Sequence, residues 1–207
     1  MNFTAITKTA LTRKSVVAAA GLAFAGGVVA GPLATVTGGE RPAMQPAAVT
    51  QTITQADKPS ADKLMPNGTP SGKQSRIGLN DEQKANVKAI VAATKKAGMD
   101  ERAAVISIAT SLQESKLENL GHLGAANDHD SLGLFQQRPS SGWGSPEQIT
   151  DPEYSTIAFL KGLKQIDGWE KLPLTVAAQK VQVSAYPDAY AQWETQAADL
   201  VTQYWNS

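Results

Sequence analysis

The chain has 207 residues, with 19 Lys and Arg against 19 Asp and Glu, and it contains no Cys. That length allows about one packed domain of the usual ~150 residues, and the lack of thiols excludes disulfides, thiolate catalysis and a cysteine-based zinc site. The zero net charge is a cancellation, because residues 1–76 carry 8 basic and 3 acidic side chains (+5) and the rest carry 11 basic and 16 acidic (−5). A net acidic folded part argues against nucleic acid as a partner, since neutralising a phosphate backbone needs a basic face.

In chain order, Lys8, Arg13 and Lys14 precede the apolar run Val16 to Ala30, and no acid occurs before Glu40. A basic leader followed by a short apolar core predicts a signal peptide over residues 1–30, with a cut after Ala30 or, as a second choice, after Ala34. The run falls short of the ~20 apolar residues of a spanning helix, which leaves a retained anchor as the alternative. Removal of the leader would leave the mature chain at −3. The pair Arg13-Lys14 is too little to argue for twin-arginine export.

Residues 31–76 contain 6 Pro and 5 Gly and no aromatic side chain. Such a composition buries too little apolar area to offset the entropy of ordering, so a disordered, extended linker is expected there. Its basic balance would let it lie on an anionic wall surface, although a solvated spacer is the plainer reading.

A mainly α domain is expected over residues 77–207. Asn80 with Gln83 forms a capping-box pattern, Val87, Ile90, Val91 and Thr94 share one face, and Gly98 is placed to end the helix. Asp100 caps the next helix, where Ala103 to Leu112 is apolar on nearly every side, the pattern of a helix at the centre of a domain. The polar, glycine-bearing stretch from Gly121 to Asp130 leaves room for a small hairpin or irregular region near residues 120–140. Asp151-Pro152 starts a further helix carrying Tyr154, Ile157, Ala158 and Leu160. Two more are expected over Thr175 to Ser184 and Asp188 to Tyr204, the last with Tyr190, Trp193, Ala197, Leu200, Val201 and Tyr204 inward.

Glu114 stands at the end of the most hydrophobic helix. Partial burial and the negative end of the helix dipole both disfavour its charged form, which is what a general acid needs when it protonates a glycosidic oxygen. Position alone also fits an ordinary surface glutamate at a frayed helix end. Further along, Glu114-Ser115 is followed by Ser131-Leu132-Gly133-Leu134-Phe135-Gln136 and Pro139. In order and spacing these motifs resemble the lysozyme-like lytic transglycosylases. The run Asp130 to Pro139, the Gly142-Trp143-Gly144 that follows and Tyr186 to Tyr190 also resemble secreted lysozyme-like proteins of high-GC Gram-positive bacteria. The resemblance covers about residues 80–205.

It implies a lysozyme-like fold and cleavage of the β-1,4 bond between N-acetylmuramic acid and N-acetylglucosamine in peptidoglycan. Glu114 would act first as acid and then as base. Ser115 would bond the glutamate or the sugar, or else its own helix backbone. Ser131 and Gln136 would line the groove, and Gln182, Ser184 or Tyr186 would take the place of the Ala-Tyr-Asn-Ala-Gly motif, which this sequence lacks. Phe135 reads as core and Arg138 as exposed or ion-paired.

A hydrolase would instead need a second carboxylate to activate water, for which Asp128 and Asp130 are the candidates. His122 and His129 lack a ligand spacing, so neither a metal nor another cofactor is expected. Trp143 and Trp169 lie beside glycines where a ring can stack on a sugar, whereas Trp193 and Trp205 read as core. The expected protein is thus a secreted, cell-wall-associated monomer that binds peptidoglycan glycan strands and has no membrane contact once the leader is removed. The rivals are a wall-binding module without activity and a membrane-tethered structural protein.

Overall fold

The computed structural model describes residues 58–70, 72–124, 127, 129–184 and 186–207. The signal-peptide reading of residues 1–30, residues 31–57 of the expected linker, and Asp128 lie outside the described residues.

The described residues are mainly helical, as expected. They form α1 (Ala61–Leu64), α2 (Asp81–Lys96), α3 (Glu101–Ser115), α4 (Pro146–Ile149), α5 (Pro152–Leu163), α6 (Leu174–Gln182) and α7 (Glu194–Tyr204), with 3-10 turns at Pro139–Ser141, Trp169–Lys171 and Ala191–Trp193. No strand occurs among them. A single antiparallel bridge, Leu132 with Gln137, occupies the place expected for a hairpin.

The starts of the helices follow their local chemistry. Asn80 accepts from the Gln83 backbone while the Gln83 side chain returns a bond to Asn80, completing a capping box for α2. Asp100 caps α3 through the Ala103 N–H, and Asp151 caps α5 through the Tyr154 N–H. Gly98 follows α2 with φ +66°, the left-handed conformation that a glycine adopts without strain.

Helix α3 is the axis of the domain. It is packed by α1, α2, α5, α6 and α7, and every residue from Arg102 to Leu112 is buried. The core continues through Leu134, Phe135, Phe159, Leu163, Ala177, Ala178, Tyr190 and Val201. Phe135 stacks on Phe159 at 5.0 Å between centroids, which places it in the core as expected. Burying side chains of this size contributes roughly 1.5–3 kcal/mol each.

Three expectations need correction. The last segment is not one helix from Asp188, because residues 187–190 form turns and Ala191–Trp193 a 3-10 turn before α7 begins. Trp169 is only 8% exposed and belongs to the core rather than to a sugar-stacking loop.

The third correction concerns the expected linker, whose part from residue 58 onward is built into the domain. Leu64 is 4% exposed within the core. Its carbonyl accepts from Arg102 Nη1 at 2.8 Å, and Arg102 forms a buried ion pair with Glu194 at 2.6 Å. Composition missed this docking because the segment is anchored by one buried leucine and by polar groups of Gln74, Ser75 and Arg76 whose partners lie more than 100 residues away.

Candidate functional site

The last turn of α3 is held from several sides. Its final residues give way to Lys116 and Leu117, both left-handed (φ 58° and 64°), a conformation that costs a non-glycine residue about 1–2 kcal/mol. Two buried side chains of α2 hold that turn. Gln83 Nε2 donates to the Lys116 carbonyl at 2.8 Å and Asn86 Nδ2 donates to the Leu117 carbonyl at 2.9 Å. Lys116 folds back to donate to the Leu112 carbonyl at 3.0 Å, the expected use of a cation at a helix C-terminus. Burial lowers the pKa of Lys116, and the nearby Glu114 charge opposes that shift.

Glu114 emerges from this anchored turn, half-buried, into a cleft of about 610 Å³. The cleft is lined by Glu114, Ser131, Gln136, Gln137, Arg138, Ser141 and Trp143 together with Val181 to Ser184 and Tyr186. Tyr190, fully buried, donates its hydroxyl to Glu114 Oε1 at 2.7 Å. Burial first, and then this bond to the carboxylate, push the Tyr190 pKa well above its usual value, so the phenol stays a donor.

The sequence placed Tyr190 inward but gave no sign of this partnership. The two residues are 76 positions apart, and a core tyrosine reads the same way with or without a polar partner.

The residues expected to touch substrate divide into three groups. Ser131, Gln136, Gln182 and Tyr186 do line the cleft with Glu114. Gln136 and Gln182 each spend one amide N–H on the protein itself, on the Gly133 carbonyl at 3.0 Å and the Phe135 carbonyl at 2.8 Å. Each therefore keeps a further amide hydrogen and its oxygen. Tyr186, 74% exposed, projects at the rim beside Val183, 80% exposed. Ser184, the other alternative, also lines the cleft.

Ser115 is not a substrate-facing residue. It is 6% exposed and does not line the cleft. Its hydroxyl lies 2.9 Å from the Leu134 carbonyl and 3.2 Å from that of Ser111. Its role is to tie the end of α3 to the turn Gly133–Gln136 that forms one wall of the cleft. Gly133 is needed in that turn, since a Cβ there would meet the Ile149 carbonyl oxygen at 2.3 Å and its φ is +71°.

Asp130, one of the two candidate water activators, is committed elsewhere. Its carboxylate accepts from Arg138 Nε at 2.7 Å, from the Ser140 N–H at 2.7 Å and from the Ser140 hydroxyl at 2.9 Å. The Arg138 guanidinium, followed by the two Ser140 donors, holds its carboxyl far below the usual carboxylate range. It does not line the cleft. Arg138 is thus the ion-paired side chain expected from the sequence, and it forms part of the cleft wall.

Trp143 lines this cleft and also a second depression of about 380 Å³ bounded by Tyr154, Ile157, Ala158 and Lys161. The loop bearing it packs tightly on α5. The Tyr154 hydroxyl donates to the Trp143 carbonyl at 3.3 Å, and a Cβ on Gly144 would lie 2.9 Å from the Tyr154 ring. Trp143 thus borders both hollows and packs partly against the core.

Among the described residues, no group of three or more His, Asp or Glu side chains is arranged to hold a metal ion. No described helix is long and apolar enough to cross a membrane. What the arrangement offers is one carboxylate in a polar cleft, with a hydrogen-bond donor fixed on one oxygen. No family model matches the chain, and no curated protein matches it in sequence.

Proposed function

We propose that the chain is a secreted lysozyme-like glycosidase of peptidoglycan that cleaves the β-1,4 bond between N-acetylmuramic acid and N-acetylglucosamine, with Glu114 as its single acid/base. The observation that carries this reading is the placement of Glu114. It is the one carboxylate lining the cleft among the described residues, and it sits on a turn fastened by α2, by Ser115 and by Tyr190. Rigid placement of a proton donor is what general acid catalysis requires.

In the first step the Glu114 proton passes to the glycosidic oxygen as the bond to the muramic anomeric carbon breaks. In the second, the carboxylate accepts a proton from the attacking hydroxyl. Asp130 is bound to Arg138 and Ser140 and is not placed to activate water, while Asp128 lies outside the described residues. A single acid/base suffices when the sugar's own 6-hydroxyl attacks, the lytic transglycosylase outcome. The cleft fits a neutral glycan, since Arg138 is paired with Asp130 and the polar side chains lining it besides Glu114 are amides and hydroxyls. The protein would work outside the cell as a monomer on wall glycan, without a cofactor.

The reading as a wall-binding module without activity would be favoured by a Glu114 covered by Trp143 or paired with Arg138. Glu114 and Gln136 line the same cleft and Arg138 pairs with Asp130, which supports the catalytic reading over that one.

Replacing Glu114 by Gln keeps the shape and removes the proton transfer. Purified cell walls should be cleared by the parent and lose at least about 100-fold in rate with the variant, within the range that general acid–base catalysis supplies. Equal clearing by both proteins would refute the assignment. Mass spectrometry of the products then separates 1,6-anhydromuramyl ends from the reducing ends that hydrolysis would leave.

A further inference from the structure

Glu114 and Tyr190 belong to different segments, and their 2.7 Å bond requires something to fix one segment against the other. The neighbouring side chain, Gln113, makes that connection. Gln113 Oε1 accepts from Trp193 Nε1 at 2.9 Å and from Gln192 Nε2 at 3.1 Å. The same Gln192 nitrogen donates to the Ala189 carbonyl at 3.0 Å. The chain on both sides of Tyr190 is therefore clamped to the residue just before Glu114.

The Gln192 amide can serve this way in only one orientation, with its nitrogen toward Gln113 and Ala189. Its oxygen then needs a donor, and the Ser75 hydroxyl supplies it at 2.6 Å. Ser75 is itself held, its N–H donating to the Gln192 carbonyl at 2.8 Å.

The flanking residues lock this segment onto the start of α7. Gln74 Oε1 accepts from the Thr195 N–H at 3.1 Å, and Gln74 Nε2 donates to the Ala191 carbonyl at 3.1 Å. Ile77 exchanges two bonds with the Gln196 side chain, at 3.0 and 2.8 Å, and Arg76 pairs with Asp199.

We propose that Ser75, Gln192 and Gln113 are positioning residues for the Glu114–Tyr190 pair, and that segment 74–77 is in this way part of the working site although it lies outside the cleft. The proposal rests on the reading of Glu114 as the acid/base. Its physical content is that the strap fixes the Gln192 amide, the amide fixes the backbone around Tyr190, and the Tyr190 hydroxyl fixes one oxygen of Glu114. Displacements well under 1 Å at a proton donor are enough to cost rate, since about 1 Å of misplacement costs on the order of 100-fold.

Charged groups described near Glu114 include Lys116, whose charge acts on it, and Arg138 in the cleft wall, paired with Asp130. Lys116 also reaches the clamp, its ammonium lying 4.8 Å over the Trp193 ring and donating to the Gln113 carbonyl at 3.3 Å. A change in Glu114 titration on altering Ser75 is therefore assigned to Tyr190 by its disappearance in a Tyr190→Phe background.

The test uses the full 207-residue chain, with Ser75→Ala, Ser75→Thr and Gln192→Met. Ser75→Ala removes one hydroxyl and keeps every main-chain bond of the strap. On a soluble muropeptide oligomer, Ser75→Ala and Gln192→Met should lower kcat by on the order of tenfold with KM changed less than about twofold. Ser75→Thr should restore the parental value. In parallel, Glu114 carrying a ¹³C-labelled carboxyl is titrated by NMR. Its midpoint should rise in Ser75→Ala and Gln192→Met, in the direction produced by Tyr190→Phe, because the carboxylate loses a well-placed donor.

Unchanged kcat and an unchanged titration, with only a lower melting temperature, would overturn the proposal and leave the strap a purely structural tie. Should the parent cleave no glycan, the glycosidase reading fails. The NMR titration then decides the positioning claim by itself.

Discussion

The Tyr190 hydroxyl donates to Glu114 Oε1 across 2.7 Å, from a residue with no exposed surface to the carboxylate that, among the described residues, lines the cleft. The tyrosine keeps its proton because burial and the neighbouring carboxylate both oppose ionisation. Its folded-state pKa is therefore above the ordinary 10.0. For a group raised in this way, stability is fully present below pH 10 and is lost as the pH rises beyond it, where the unfolded chain gives up a proton that the folded chain retains. Thermal melts from pH 8 to 11 should show a decline that begins near pH 10, and Tyr190→Phe should flatten it. The same substitution should move the basic limb of the pH–rate profile upward, because a hydrogen bond to the charged form favours that form.

Asp130 gives the opposite sign. Its pKa is lowered by Arg138 and Ser140, so its contribution is present above the ordinary carboxylate value and is lost as the pH falls below about 4. Asp130→Asn should lower the melting temperature at pH 7, and the gap between variant and parent should narrow progressively as the pH falls below about 4. Because Asp130 is occupied by structural donors, the variant should keep activity within about fivefold of the parent, far from the loss expected when a water-activating base is removed. A fall comparable to that of Glu114→Gln would show that Asp130 takes part in the chemistry.

Arg102 and Glu194 form an ion pair with side chains 2% and 10% exposed. The guanidinium also donates to the carbonyls of Leu64 and Leu172, at 2.8 and 3.3 Å. Removing one partner strands a buried charge, so Glu194→Leu should cost about 3–5 kcal/mol in chemical denaturation. The double variant Arg102→Met with Glu194→Leu should recover most of that loss, unless the two carbonyls left without a donor keep it destabilised.

The parts of the molecule legible in the sequence are those set by neighbours in the chain. Asn80, Asp100 and Asp151 announce their helices because a cap acts over three residues, and α3 announces its burial because all its faces are apolar. The exit of Glu114 from that helix into a cleft with Gln136 and Gln182 follows from the same local pattern together with the motif spacing.

What composition concealed is set by pairings across the fold. Ser75 reads as linker, since nothing nearby hints at Gln192, and nothing near Arg102 in the chain points to its partner Glu194, 92 positions away. Ser115 and Asp130 were legible as polar residues in the right motif. Whether a hydroxyl or a carboxylate faces substrate or protein depends on where Leu134 and Arg138 lie in three dimensions.

Four of the left-handed residues, Lys116, Leu117, Gln136 and Val183, border or support the cleft. Val183 is the plainest case, a β-branched residue at φ 54° with 80% of its surface exposed, so it gains little from burial to set against the strain. Glycine there would relax the backbone at small loss of contact. Selection for thermal resistance and selection for turnover should therefore pull position 183 apart: the former toward glycine, the latter toward a side chain that stiffens the rim. In an evolving population, this is where heat tolerance and catalytic speed would be traded first.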